Sequence, residues 1–213
     1  MSHAPLPRAF YARPTLDVAR ALIGKLLWRR TAAGLVGGEI VETEAYVSAM
    51  DAAAHGYGGV TPRTATMYGP PGHAYIYFTY GMHHCLNCVT ETEGVGAAVL
   101  LRALRPVAGQ ELIRQRRGAT VTERDLLRGP ARLCQALALT RADDGLDLMG
   151  DALWLTDNPD WSSDTPIATS PRIGISRAIE LPWRFYLTDS QWVSGTGAHG
   201  RVTGRHGAGD TLK

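Results

Sequence analysis

Apolar residues recur at helical spacing as Leu16, Ala19, Leu22, Ile23, Leu26 and Leu27. With Pro14-Thr15 as an opening and Thr15 as N-cap, they predict an amphipathic helix over 15–27. The glycine-rich stretch 34–38 predicts a turn, and the β-branched, alternating stretch 39–47 a strand. Residues 48–71 hold Gly, Pro and Asp but few aliphatics, and predict a long surface loop, which inside a domain is usually a functional segment. Two β-prone stretches, 74–79 and 84–90, predict strands joined at a hairpin tip of Tyr80-Gly81-Met82, and a third strand follows at 97–104. Helices are expected at 107–117, from a capping-box-like Thr122 and Asp125, and over 130–139, with Gly129-Pro130 separating the last two. Short strands at 152–156, 172–175 and 184–188 complete the pattern. No internal repeat or linker interrupts it, so the expectation is α+β: a single domain over 1–194, followed by a Gly-rich tail, 195–213, expected to be flexible.

Composition narrows the setting. A chain of 213 residues is long enough for a self-sufficient core. No window approaches the roughly 20 consecutive apolar residues a membrane span needs; the stretch 19–28 is short and contains Lys25. Residues 1–7 lack the charged-then-apolar build of a secretory signal. Three cysteines, Cys85, Cys88 and Cys134, are too few for a disulfide framework. An intracellular protein is therefore expected: cytoplasm or nucleoid in a bacterium, nucleus in a eukaryote. A net charge of +2 permits a nucleic-acid partner without requiring one. The cations are twenty Arg and two Lys, Lys25 and Lys213, and Arg is the residue suited to bidentate phosphate contacts.

Candidate chemistry collects in five places. Strand alternation sends Glu42, Glu44 and Tyr46 to one face and Val41, Thr43 and Ala45 to the other. Two carboxylates and a phenol so placed form either a solvated face with an Arg partner or, beside a long loop carrying His55, a site in which a shielded carboxylate serves as general base. Tyr75 and Tyr77 share a face and Tyr80 sits at the hairpin tip, an arrangement suited either to core packing or to stacking on nucleobases. His83, His84, Cys85 and Cys88 are potential metal ligands, but alternation scatters them and no second ligand pair exists, so no metal or other cofactor is expected. Asn87, between two cysteines, places an amide in an apolar wall. Arg102 is a charge in an apolar strand and needs a carboxylate, for which Glu44 is the candidate. Arg114, Arg116 and Arg117 form a solvated helix face or contact phosphates.

Taken in order, Val41-Glu42-Thr43-Glu44-Ala45-Tyr46, His55 eleven residues after Glu44, Thr61-Pro62-Arg63, Tyr75-Ile76-Tyr77 with Tyr80-Gly81-Met82, Asn87, and Leu100-Leu101-Arg102-Ala103-Leu104 resemble the alkyladenine (3-methyladenine) DNA glycosylase family. Gly129-Pro130, Leu133-Cys134-Gln135-Ala136-Leu137, Arg172-Ile173-Gly174, Arg184-Phe185-Tyr186 and Trp192-Val193-Ser194 extend the resemblance, which covers about residues 8–194. His83-His84 stands where the family more often has aromatics.

The resemblance implies a mixed fold with a curved, mainly antiparallel sheet. It also implies a DNA-repair enzyme of base excision, which flips alkylated or deaminated purines (3-methyladenine, 7-methylguanine, hypoxanthine or ethenoadenine) out of duplex DNA and hydrolyses the N-glycosidic bond. Glu44 would activate water against C1′, with Arg102 holding Glu44 and that water. Tyr46, His55 and Tyr77 would line the base pocket, Asn87 would obstruct the 2-amino group of guanine, and Tyr80 would fill the gap in the duplex. Arg63 is a candidate for the DNA backbone. Neither lysine lies in these motifs, so hydrolysis without strand cleavage is expected. The expected partner is double-stranded DNA containing damaged purines, bound by a monomer, with the abasic product handed to an abasic-site endonuclease. Hydrolysis of free nucleosides by the same Glu, and a non-catalytic binder, are the competing readings.

Overall fold

The computed structural model describes residues 4–79 and 81–195. Tyr80 and the expected tail, apart from Gly195, lie outside them. The sheet strands are β1 (Leu26–Thr31), β2 (Gly34–Val47), β3 (Ala74–Thr79), β4 (His83–Thr90), β5 (Ala97–Ala108) and β6 (Leu153–Thr156), paired in the order β3-β4-β5-β2-β1-β6. Two further strands, β7 (Ile167–Ser170) and β8 (Arg184–Leu187), pair with each other, and β8 also pairs with β2. Every pairing is antiparallel, and the sheet curls into a half-barrel. Helices α1 (Arg8–Tyr11), α2 (Thr15–Leu22), α3 (Gln110–Arg117) and α4 (Pro130–Ala136) complete a single α+β domain.

The two faces of the sheet are chemically different, and this positions the site. Ala45 of β2, Ala74 and Ile76 of β3, and Leu86 and Cys88 of β4 join Val18 and Leu22 of α2 and Leu133 of α4 in the main core. Each fully buried Val or Leu there contributes about 1.5–3 kcal/mol relative to an exposed one. The opposite face carries Tyr75, Val89 and Ala98, with Tyr46, Tyr77, Ala54 and Met67 packed on them.

Several sequence expectations are corrected. The helix predicted over 15–27 ends at Leu22, because Gly24 takes φ +84° with the Trp161 ring against its Cα; Leu26 and Leu27 open β1 instead. Its N-cap is Pro14, and the Thr15 hydroxyl lies 2.5 Å from Glu91 Oε1, to which it donates. The turn expected at 34–38 is the first third of β2: Trp28 of β1 lies opposite Gly37 and covers it with its ring, a place no side chain could share. Of the helix expected at 107–117, the first two residues belong to β5, and near 122 only a 3-10 turn, Glu123–Asp125, forms. There the Asp125 and Leu126 carbonyls accept from Arg117, and the Leu127 carbonyl accepts from Leu104 N–H, drawing the chain onto the sheet. Helix α4 stops at Ala136, short of 139, with Ala138 at φ +50°. Residues 172–175 form no strand; the neighbouring strand is β7. The long loop 48–71 is built of turns and one 3-10 segment, Ala65–Tyr68.

One irregularity falls at the site. Ile40 pairs with Leu104 and Glu42 with Ala103, so Val41 is an extra residue on β2; Thr43 then pairs with Leu101, leaving Arg102 without a partner position. Val41 consequently leaves the main core for a small cluster with Ala103 and Val193. The Arg102 carbonyl turns out of the ladder to accept from Gly129 N–H at 2.9 Å. Bulges of this kind re-aim side chains beside functional sites.

Candidate active site

Glu44 is fully buried on β2. Its Oε2 accepts from the Tyr46 hydroxyl at 2.8 Å and lies 3.2 Å from Arg102; its Oε1 accepts from Ile173 N–H at 2.7 Å. Arg102, also buried, donates through Nε to Glu42 Oε1 at 3.0 Å and through a terminal nitrogen to Ser194 Oγ at 3.3 Å. Burial would lower the Arg102 pKa, but Glu44 and Glu42 beside it more than offset that and raise it. Tyr46 has its pKa pushed up by burial and then by the adjacent Glu44 carboxylate, so its phenol stays protonated and donates.

In front of this cluster opens a cavity of about 540 Å³, within the range of small-molecule sites. Its walls include Tyr46, Ala52–54, His55, Met67, Tyr75, Tyr77, Cys85, Asn87, Arg102, Pro130 and residues 173–177. Glu44 is not itself a wall residue: Tyr46, Arg102 and Ile173, which hold it, form the wall in front of it.

Strand alternation explains most of the lining. Tyr75 and Tyr77 point from β3 to the cavity, their rings 5.7 Å apart, and Cys85 and Asn87 point there from the adjacent β4. His55 comes from the loop; its Nδ1 is 3.2 Å from the Tyr75 hydroxyl and its ring meets Tyr77 edge-on at 4.2 Å. His55 is open on its cavity side, yet the surrounding protein, and then the Arg63 charge, lower its pKa, favouring the neutral imidazole. Burial pushes the Tyr75 phenol up to about 12. Asn87 donates through Nδ2 to the carbonyls of Tyr75 (3.0 Å) and Cys85 (3.4 Å), which fixes the amide in the wall. Arg63 is exposed at the rim, with its guanidinium 5.9 Å from the Tyr77 ring centre and donating to the Phe78 carbonyl at 3.4 Å. The structure thus brings Arg102, Tyr46, His55, Tyr77 and Asn87 to one cavity, with Glu44 held directly behind its wall and Arg63 at its edge; Tyr80 lies outside the described residues. Among the described residues no group of three or more His, Cys, Asp and Glu side chains is placed to hold a metal.

Sequence reasoning missed two parts of the site. Glu42 shares Arg102 with Glu44, and it also accepts from Arg184 Nε at 2.7 Å and Ser194 N–H at 2.6 Å. The other is Arg172, paired with Asp51 behind the Tyr46 ring. Its only sequence signal was its place in Arg172-Ile173-Gly174, to which no chemistry attached.

The family model for methylpurine-DNA glycosylase matches residues 9–191. A Burkholderia lata protein named "Putative 3-methyladenine DNA glycosylase" is 50% identical over 193 residues, covering 90% of this chain and 92% of its own. Proteins of the same name from Chlorobaculum parvum (48%, covering 88% of this chain and 89% of theirs) and Methanocella arvoryzae (46%, covering 89% and 95%) are similar over the same extent.

Proposed function

Because the chain belongs to the methylpurine-DNA glycosylase family, and so among the hydrolases of N-glycosyl bonds in DNA repair, we propose that it excises alkylated purines from duplex DNA with Glu44 as the general base. The observation that carries this reading is the setting of Glu44: a buried carboxylate gripped by Tyr46, Arg102 and Ile173 N–H at the inner wall of an aromatic cavity.

The extruded nucleotide enters between Tyr46, His55 and Tyr77. Flipping costs a few kcal/mol of unstacking, least at damaged pairs. A base such as 3-methyladenine is cationic as a nucleotide and already a good leaving group. Tyrosine faces attract that cation by about 2 kcal/mol when water is excluded. A neutral His55 adds no competing positive charge. Departure of the base leaves an oxocarbenium-like sugar, and a fixed carboxylate both stabilises the positive charge at C1′ and takes the proton of the attacking water. A carboxylate has about four acceptor positions. Oε2 accepts from Tyr46 and faces Arg102 while Oε1 accepts from Ile173 N–H, so the remaining position on Oε1 is assigned to the water. Asn87, fixed in the wall, limits the purine edge that fits. Tyr80 fills the vacated stack, and Arg63 at the rim meets the backbone.

Hydrolysis without strand cleavage is supported by Lys25, which is bound to Asp157 at 2.5 Å and lies outside the cavity wall, leaving no described lysine to form a Schiff base there. The monomer then releases abasic DNA for an endonuclease. The test is duplex DNA methylated at purines, followed for free base and for strand breaks before and after alkali. Release of 3-methyladenine with breaks only after alkali is expected. No release from methylated or hypoxanthine-containing duplex would leave only a DNA-binding member of the fold.

A further inference from the structure

Arg172 does not line the cavity, but its terminal guanidinium nitrogens tie together three segments around it. Its guanidinium makes a two-pronged pair with Asp51, one bond at 2.8 Å, and both side chains are fully buried. It also donates to the Ala45 carbonyl at 2.9 Å and the Ala178 carbonyl at 3.4 Å, and lies 4.6 Å from the Tyr46 ring centre and 5.3 Å from that of Trp183. Asp51 in turn receives Ala53 N–H through Oδ1, and its carbonyl receives Ala54 N–H, so it shapes the turn that puts Ala52–54 and His55 into the cavity wall. The residue after Arg172 is Ile173, whose N–H holds Glu44 Oε1, and residues 173–177 form the facing wall.

We infer that the Arg172–Asp51 pair is the positioning device of this site: it locks the 173–177 wall, the 51–55 turn and the Tyr46 ring to one another and thereby fixes the donor on Glu44. Two features favour this over simple fold stabilisation. A buried ion pair is a poor route to stability, since an apolar pair of similar volume is often as good or better, and here the Arg172 Nε has no hydrogen-bond partner among the described residues. The pair also contacts the donor segment and the ring of the two groups that, with Arg102, hold Glu44. Holding reacting groups within fractions of an ångström governs the rate of the bound complex more than its affinity.

The inference rests on Glu44 being the base, so Glu44→Gln runs in parallel. The measurement is single-turnover base release from methylated duplex at saturating enzyme, together with the enzyme concentration for half-maximal rate. The saturating rate constant does not depend on what fraction of the enzyme is folded, so a purely structural defect leaves it unchanged. Arg172→Lys keeps the charge but loses the fork, and Asp51→Asn keeps the shape but loses the charge. Each is expected to lower the saturating rate constant about 10- to 100-fold, with the half-saturating concentration of folded enzyme within about threefold of the parent. Arg29→Lys, which weakens the 2.7 Å pair with Asp143 away from the cavity, is expected to leave both unchanged. Arg172→Lys and Asp51→Asn at the parent rate constant, or slowed no more than Arg29→Lys, would overturn the inference while leaving Glu44 in place. A Glu44→Gln variant as fast as the parent would instead overturn the reading on which it rests.

Discussion

Glu42 and Glu44 stand two residues apart on one strand, both fully buried and both bound to Arg102, and they are built for different work. Glu42 is a charge anchor: two arginines and the Ser194 N–H converge on it, and among the described residues only Arg102 links it to the cavity. Glu44 has one arginine, one phenol and one backbone N–H, and each of these holders is also a cavity wall. Identical side chains in the same pattern thus become a charge anchor and a candidate base. The distinction comes from what four distant segments, β5, β8, the loop after β7 and the stretch after β8 that carries Ser194, bring to the strand.

That contrast predicts a graded set of effects. Glu44→Gln should lower base release about 10²- to 10⁴-fold, the usual contribution of a general base, while Arg102 keeps Glu42 and the fold holds; single-turnover kinetics and thermal unfolding check the two halves. Glu42→Gln should reverse the profile, because two buried arginines lose their common counter-charge. It is expected to destabilise by about 3–5 kcal/mol in denaturant unfolding, while folded enzyme keeps a saturating rate constant within about tenfold of the parent. Tyr46→Phe, which removes the donor to Glu44 Oε2 and keeps the stacking ring, should slow base release about tenfold, the worth of one hydrogen bond to a charged group, with affinity for lesion duplex unchanged in a binding titration.

The smallest effect concerns pH. His55 has its folded pKa lowered from 6.5 by the surrounding protein and then by Arg63. Below pH 6.5 the unfolded chain therefore binds a proton at this residue that the folded chain does not, and stability falls as the pH drops through that value toward the lowered folded one. His55→Gln should remove that part of the acid-side loss in unfolding curves at pH 5–7, and Arg63→Gln should shrink it.

What could be read along the chain follows from the range of the forces involved. Alternation in β2, β3 and β4 placed Glu44, Tyr46, Tyr75, Tyr77 and Asn87 on the cavity side, because a period of two is local and survives tertiary packing. The Arg102–Glu44 contact was legible because a charge in an apolar strand demands a partner. The strand expected at 172–175 was wrong because its backbone donor is spent on a side chain, Glu44, and no ladder can form around it. Gly37 and Gly38 read as a turn because nothing local shows that Trp28 and Leu104 cover them. Arg172–Asp51 joins residues 121 positions apart, and each alone looks like a surface charge. The sharing of Arg102 by two carboxylates was hidden for the same reason, since Arg184 and Ser194 reach Glu42 from far along the chain.

The most direct measurement is base release from purine-methylated duplex by the parent, Glu42→Gln and Glu44→Gln proteins in one single-turnover experiment at saturating enzyme. The expected result is a near-silent, folded Glu44→Gln that still binds the duplex, beside a less stable Glu42→Gln whose rate constant stays within about tenfold of the parent. Equal rates for Glu44→Gln and the parent, or a silent Glu42→Gln beside an active Glu44→Gln, would contradict the division of labour between the two carboxylates.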